Sequence, residues 1–256
     1  MGGTGFPTVD VSLAVGRAIG QSGFMTAITF ITGANKGLGY ETARRLIELG
    51  QTVIIGARDA GRGQAAADRL GARFVPIDVT DDGSVKRAAA DIEAHEGRID
   101  TLINNAGIIG ARVAASELTG DDALLVFETN VISVVRVTTA LLPLLKRSDA
   151  PAVINVSSGM GSFALTHDPS RVESTIASPL YTASKSAVTM MTAQYAKAIP
   201  EVRFNAADPG YTATDLNSHS GHQTVTEGTD AIVALATEGP SAGTGRFVDR
   251  VGPVAW

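Results

Sequence analysis

From Ala27 onward the chain alternates short runs that are apolar at nearly every position with longer stretches whose apolar residues recur at helical spacing. The short runs AITFIT, TVIIGA, ARFVPID, DTLINNAG, PAVINVSS, VRFNAAD and TGRFVDR predict strands. Between them the pattern predicts helices over 41–49, stopped by Gly50, about 62–70, and about 82–96, stopped by Gly97. A long helix starts after Thr119-Gly120-Asp121 and runs towards Leu145, with Pro143 predicting an irregular last turn. Two more follow, over 181–198 and 225–237. Strands apolar on both faces belong to a sheet covered on both sides, and strict β–α alternation requires right-handed crossovers between parallel strands. The expectation is α/β: a single doubly wound Rossmann-type domain over 25–256, with a parallel seven-stranded sheet in the order 3-2-1-4-5-6-7 and helices on both faces. Ligands then belong at the carboxyl edge of the sheet.

Composition narrows the functional classes. The formal charge of −5, without a basic run, argues against a nucleic-acid partner. There is no cysteine, which excludes disulfides, thiolate metal sites and a cysteine nucleophile, and fits a reducing, cytoplasmic setting. His219 and His222 lie in a polar stretch with no evident carboxylate partner, so no metal is expected. The first 24 residues lack a basic start, and their apolar run is broken by Gly16, Arg17 and Gly20. They predict neither a signal peptide nor a membrane span but a loosely held extension before Met25, the competing reading being a docking helix over 11–19.

Two patterns carry chemistry. Thr32-Gly33-Ala34-Asn35-Lys36-Gly37-Leu38-Gly39 joins the first strand to the first helix, where glycines let a pyrophosphate approach the backbone at a helix N-terminus. Tight strand–helix packing would also explain those glycines. A second glycine pattern, Gly61-Arg62-Gly63-Gln64-Ala65-Ala66, lies beyond its strand and reads as the start of a helix. The other pattern is Tyr181-Thr182-Ala183-Ser184-Lys185, whose i,i+4 spacing on a helix puts phenol and ammonium on one face. Four residues after Tyr40, Tyr195 and Tyr211 stand Arg44, Ile199 and Asp215, so only Tyr181 has a lysine there.

The ordered set of motifs resembles the short-chain dehydrogenase/reductase family, in particular its NADPH-dependent carbonyl reductases. The glycine loop is followed by Asn104-Asn105-Ala106-Gly107 after the fourth strand, Asn130 in the long helix, Ser157-Ser158 at the end of the fifth strand, the Tyr181/Lys185 pair, and Pro209-Gly210 with Thr212 after the sixth. The resemblance spans about 27–251. It implies Tyr181 as the proton donor in reduction, and Lys185 as the group that lowers the Tyr181 pKa and binds the nicotinamide ribose. It further implies Ser158 as the group that orients the carbonyl, with Ser157 the competing choice, and Asn130 as the holder of a relay water; a local role in the helix is the other reading of Asn130. It also implies a cofactor cradle of Gly33, Asn35, Lys36, Gly37, Leu38, Gly39, Asn105, Ala106, Gly107, Pro209, Gly210 and Thr212, with Asp78 and Val79 beside the adenine.

The second strand ends in Arg58, where an NAD enzyme of this fold usually carries an acid. A guanidinium binds a 2′-phosphate that a carboxylate would repel, and Lys36 offers a second charge. NADP(H) is therefore the expected cofactor, with Asp59 as the one conflicting signal. The expected partner is a small-molecule carbonyl or alcohol substrate, with no membrane partner, and the resemblance is compatible with a homo-oligomer. A departure from the family is the 23-position separation of Ser158 and Tyr181, longer than is common. The inserted residues 159–178 are expected to shape the substrate mouth and to alter the helix-pair surface through which many relatives assemble. The leading expectation is a carbonyl reductase or the reverse alcohol dehydrogenase. The alternative is a non-catalytic NADP(H)-sensing protein, which would tend to lose the Tyr–Lys pair. A nucleotide-sugar epimerase would need a larger C-terminal domain.

Overall fold

In the computed structural model, which describes residues 26–256, the strands β1 (Ile28–Thr32), β2 (Thr52–Ala57), β3 (Arg73–Pro76), β4 (Thr101–Asn104), β5 (Ala152–Val156), β6 (Arg203–Ala207) and β7 (Arg246–Asp249) align parallel in the order β3-β2-β1-β4-β5-β6-β7. The expected extension over 1–24 lies outside the described residues. The seven-strand expectation is short by one: β8 (Gly252–Pro253) pairs antiparallel with β7, as Val248 meets Pro253. Two residues and a proline leave no periodic signal, which is why the sequence hides it.

Helices cover both faces. α1 (Gly37–Glu48) and α2 (Ala60–Leu70) lie on one side with α9 (Asp230–Thr237), and α3 (Asp82–Glu96) and α5 (Ser133–Leu145) pack on the other with α7 (Pro179–Ala198). The strands feed both cores by alternation: Phe30, Ile54 and Leu102 point to one, and Ile31, Ile55 and Ile103 to the other, all fully buried. Asp59 and Asp81 cap α2 and α3 by accepting from the N–H groups of Arg62 and Ser84. The rival glycine pattern is indeed within α2, where a Cβ on Gly63 would lie 2.1 Å from the Phe74 ring.

The long fourth helix breaks elsewhere than its proline suggests. Pro143 stays within α5, while the irregularity is a π-helical turn, Glu128–Ile132, between α4 (Gly120–Phe127) and α5. The expected helix over 225–237 is likewise divided at Thr229 into α8 (Val225–Gly228) and α9. Residues 120–145 are long and apolar enough, by length and composition, to cross a membrane. Here Val126, Val134, Val137, Leu141, Leu144 and Leu145 are buried in the domain, as in a core helix. Leu124, Leu125, Ile132 and Val135 stay exposed on the outer side of the same helices. The insertion holds a short helix, α6 (Phe163–His167), which the sequence pattern does not reveal. The chain end pins it: Ser162 donates to the Ala255 carbonyl at 2.6 Å and the Ala164 N–H to the Trp256 carbonyl at 3.2 Å.

Ile103 is fully buried at the centre of the sheet, between β1 and β5. Ile103→Ala is expected to destabilise the domain by ~2–5 kcal/mol, the cost of deleting buried methylenes and leaving a cavity. Urea unfolding followed by circular dichroism checks this.

Candidate active site

The glycine turn is locked to the exit of β4. The Thr32 hydroxyl accepts from the N–H groups of Asn105 (3.0 Å) and Ala106 (3.1 Å), and the Asn105 amide donates to the carbonyls of Thr32 and Gly33. A Cβ on Gly39 would lie 2.5 Å from the Asn105 amide nitrogen. Asn105, expected as a cofactor contact, thus spends its side chain holding the cradle together. Gly33 and Gly37 have φ of +66° and +57°, a conformation that L side chains rarely adopt.

The resulting α1 N-terminus differs from its neighbours. No side chain caps it, and no acid stands in its first turn. Nothing lies within 4 Å of the Cβ position on Gly37. An uncapped N-terminus with open space over a glycine turn fits a phosphate group, so the residues suit a dinucleotide. Asn35 and Leu38 flank this turn half-buried, and Leu38 packs on Gly228.

At the far end of the cradle, Arg58 is exposed at the end of β2, close enough to help hold the Asp78 carboxyl below its ordinary value; burial opposes that lowering, and bonds from Thr80 favour it. Val79 is buried beside Asp78, and its carbonyl accepts from Arg136. Asp59, the conflicting acid, is turned away: it caps α2 and pairs with Arg62 at 3.0 Å. Lys36 pairs its Nζ with Asp215 at 2.8 Å. Both side chains are more than half exposed, so the pair is weak and yields readily to a phosphate. Asp215 also takes His219 at 2.9 Å, a carboxylate partner that the sequence reading missed. Among the described residues no group of three or more His, Asp or Glu is arranged to hold a metal ion.

The catalytic candidates converge at the carboxyl edge of β4 and β5. Lys185 is buried, and its Nζ donates to the Val156 carbonyl at 2.8 Å and sits 5.7 Å from the centre of the Tyr181 ring. The Ser158 hydroxyl is near enough to the Tyr181 phenol to favour its ionised form. Ser157 is spent elsewhere: its hydroxyl bonds the Lys185 carbonyl and Thr189, facing α7. Of the two serines only Ser158 meets the phenol. A Cβ on Gly107 would lie 3.4 Å from Asn130 Oδ1 and 3.6 Å from Lys185 Nζ, so the Asn105-Ala106-Gly107 turn forms the wall behind both.

Asn130 sits on the π-helical turn, fully engaged. Its Oδ1 accepts from the Ile108 N–H, and its amide donates to the Ile108 carbonyl and to Ser184. Such turns inside α-helices recur at functional sites. Both amide hydrogens are used, so a relay water would meet the Asn130 backbone or the second lone pair of Oδ1. Ser184, inside the Tyr–Lys motif, is a supporting residue that the sequence reading passed over.

Burial pushes the Tyr181 phenol up to about 12, against the Ser158 hydroxyl and with help from the Asp208 charge. The expected lowering by Lys185 is not what the protein's own groups produce, because burial penalises the phenolate more. Burial likewise lowers Lys185 to about 8, and Asp208 opposes that shift. Pro209 is buried, and the Gln223 amide lies against the exposed Gly210, 2.0 Å from where a Cβ would stand. Thr212 donates to the Pro209 carbonyl at 2.8 Å. Asp208, directly before this loop, is a buried acid the sequence reading overlooked. Two cavities flank the centre. One, of about 340 Å³, is lined by Arg171, Glu173, Asp208, Tyr211, His222 and Asp249; the other, of about 590 Å³, lies between the insertion and α7, at Met160, Phe163, Ile176 and Ala183.

Comparison with known proteins identifies the family. The family model for short chain dehydrogenases matches residues 27–224. A short-chain dehydrogenase, anuI, of Penicillium roqueforti is 34% identical over 243 residues, covering 88% of this chain and 96% of its own. Salutaridine reductase of Papaver bracteatum is 30% identical over 290 aligned positions, covering 86% and 93%. The crystal structure of NADPH-bound carbonyl reductase from chicken fatty liver superposes with a TM-score of 0.80 at 27% identity, covering 91% of this chain and 100% of that one. With the cradle, the Tyr181/Lys185 pair and these matches in agreement, the chain belongs to the short-chain dehydrogenase/reductase family of oxidoreductases.

Proposed function

We propose that the chain is an NADP(H)-dependent reductase of small to medium apolar ketones or aldehydes, or a dehydrogenase running the reverse alcohol oxidation. The observation that carries this reading is the convergence of Ser158, Tyr181 and the buried Lys185 against the Asn105-Ala106-Gly107 wall, at the mouth of an uncapped helix N-terminus. The relatives named above are reductases and dehydrogenases, and one neighbouring structure holds NADPH.

The nicotinamide cofactor, when bound, supplies or accepts the hydride. The chain's own residues do the rest. The N-terminus of α1 and the glycine turn hold the phosphates, Arg58 and a released Lys36 pair with the 2′-phosphate, and Asp78 and Val79 border the adenine. Ser158 donates to the substrate carbonyl oxygen and sets it beside the Tyr181 hydroxyl. Tyr181, protonated at neutral pH, gives its proton to that oxygen as negative charge develops. Lys185 binds the ribose and, as a cation, steadies the phenolate left behind. Asn130 and Ile108 line the path by which a proton returns.

The cofactor preference is tested by calorimetry. NADPH should bind more tightly than NADH, and Arg58→Ala should erode the difference by ~1–3 kcal/mol, the scale of one charge-assisted hydrogen bond. Equal affinity of the unaltered chain for the two would refute the preference.

Turnover is tested by a panel of carbonyl compounds monitored through NADPH absorbance. Tyr181→Phe keeps the ring but removes the proton donor, so kcat should fall by ~10²–10⁴ while cofactor affinity hardly changes. Lys185→Ala should damage both. A Tyr181→Phe protein that reduces a good substrate at full rate would disprove the assigned role.

The pH dependence follows from Lys185. Its ammonium is lowered to about 8, so it loses its charge as pH rises through that value, while Tyr181 stays protonated. The kcat/KM of reduction should therefore decline on an alkaline limb centred near pH 8. A flat profile to pH 9 would contradict the role given to the ammonium.

A further inference from the structure

Asp208 directly follows β6 and is almost wholly buried, an unusual place for a carboxylate. It is held by two loops at once. Its Oδ1 accepts from the Gly210 N–H at 2.9 Å, and its other oxygen lies close against Gly159, the residue after Ser158, whose backbone helps favour the ionised form. The approach to Gly159 is close: a Cβ there would lie 2.9 Å from Asp208 Oδ2 and 2.6 Å from Glu173 Oε1. The next turn is equally tight against α7, since a Cβ on Gly161 would lie 2.7 Å from the Lys185 carbonyl carbon. One carboxylate thus ties the Ser158 turn to the Pro209-Gly210 loop, and its field reaches both Tyr181 and Lys185.

The charges around it come from every neighbouring element. Glu173 and Arg171 stand on the insertion, Asp249 at the end of β7, and Tyr181 and Lys185 on α7; His222 and Arg250 line the same cavity. Arg171 pairs with Glu173 at 3.2 Å and feels Asp208 and Asp249 as well. It is the cation by which the insertion answers three carboxylates.

We propose that Asp208 is a positioning residue of the reaction: its carboxylate clamps the Ser158 turn to the loop of residues 209–212 and supplies the negative charge that keeps Lys185 cationic, with Arg171 of the insertion as its outer counter-charge. The proposal rests on the reductase reading for its kinetic consequence, but the clamp and the charge coupling are measurable without any turnover. Retaining an ionised carboxylate here costs stability. Burial raises Asp208 to about 6, so its ionised form above that pH opposes folding relative to the unfolded chain, where the group sits near its ordinary value.

The experiment compares the native chain with Asp208→Asn and Asp208→Glu, full length, by heteronuclear NMR, thermal unfolding and kinetics. In the native chain the amide resonances of Gly159 and Gly210 should titrate together with a common midpoint near 6, a step that Asp208→Asn abolishes. The 13Cε resonance of Lys185, assigned with Lys185→Arg, should have a midpoint lower by about half a pH unit or more in Asp208→Asn, the direction set by losing a nearby negative charge. At pH 8 the Asp208→Asn protein should unfold at the same temperature as the native chain or higher. With a carbonyl compound that the native chain reduces, Asp208→Asn should lower kcat tenfold or more with KM within about twofold, as expected for an interaction made in the transition state. The alkaline limb should move to lower pH, and Asp208→Glu should restore the limb. Independent titration of the two glycine amides overturns the clamp, and a Lys185 midpoint unchanged in Asp208→Asn overturns the coupling. If the native chain reduces no carbonyl compound, the reductase reading fails and the NMR titrations still decide the placement of the charge.

Discussion

The site depends on one interlock, between the end of β1 and the exit of β4. Thr32-Gly33 and Asn105-Ala106 are joined by four hydrogen bonds across these neighbouring strands, two accepted by the Thr32 hydroxyl and two donated by the Asn105 amide. An apolar contact could hold the strands together, but it would leave their exits free to turn. Directional bonds fix the peptide planes of Gly33 and Ala106, and with them the axis of α1 and the wall at Gly107. Glycine at position 39 is then required by space, because the Asn105 amide occupies the volume of a side chain. A cofactor cradle and a catalytic wall are thus two consequences of the same few bonds.

A second polar layer sets the helix that carries the chemistry. α7 meets the sheet through a buried ladder rather than through an oily face. Asn104 donates to Asn155 and Thr138, and Asn155 donates to Thr192; Ser157 bonds Thr189, and Lys185 bonds the end of β5. Hydrophobic packing is non-directional and tolerates rotation about a helix axis, whereas this ladder admits one rotation. That rotation puts Tyr181 beside Ser158 and buries Lys185. The apolar core below, with Tyr195 stacked on Phe204 at 5.2 Å, supplies cohesion towards the other end of the helix. Stability and aim are assigned to different ends of α7.

Much of this was legible in the sequence, for reasons that particular residues make clear. Apolar runs announce the parallel strands because both faces of each are buried. The glycine turn and the Tyr–Lys spacing are local, so a linear reading finds them. What stayed hidden was non-local or too short. β8 spans two residues. The π-helical turn at Asn130 has no sequence period of its own, and Pro143, the visible irregularity, proved harmless. Lys36 looked like a free cation until the fold brought Asp215, 179 residues away, to its side. Asp59 looked like an argument against a phosphate until it turned out to cap α2. In these cases the partner, set by the tertiary fold, was not available from the chain.

The segment between Ser158 and Tyr181 illustrates how a loop beside the site can be held without disturbing its centre. Residues 159–178 could have hung loose over the site, yet three anchors restrain them: the chain terminus at Ser162 and Ala164, the backbone of α7 at Gly161, and the carboxylates facing Arg171. The first two are fixed by shape. The third is electrostatic and faces solvent on one side, so it is weaker and responds to salt and pH. The same charges lie next to Asp208 and hence to the field felt by Tyr181 and Lys185. A substitution at Arg171 therefore acts twice, loosening the mouth of the pocket and leaving Glu173, Asp208 and Asp249 with less compensation. The protein then either protonates one of them or admits water to separate them, and both outcomes change the environment in which a phenol must give up its proton.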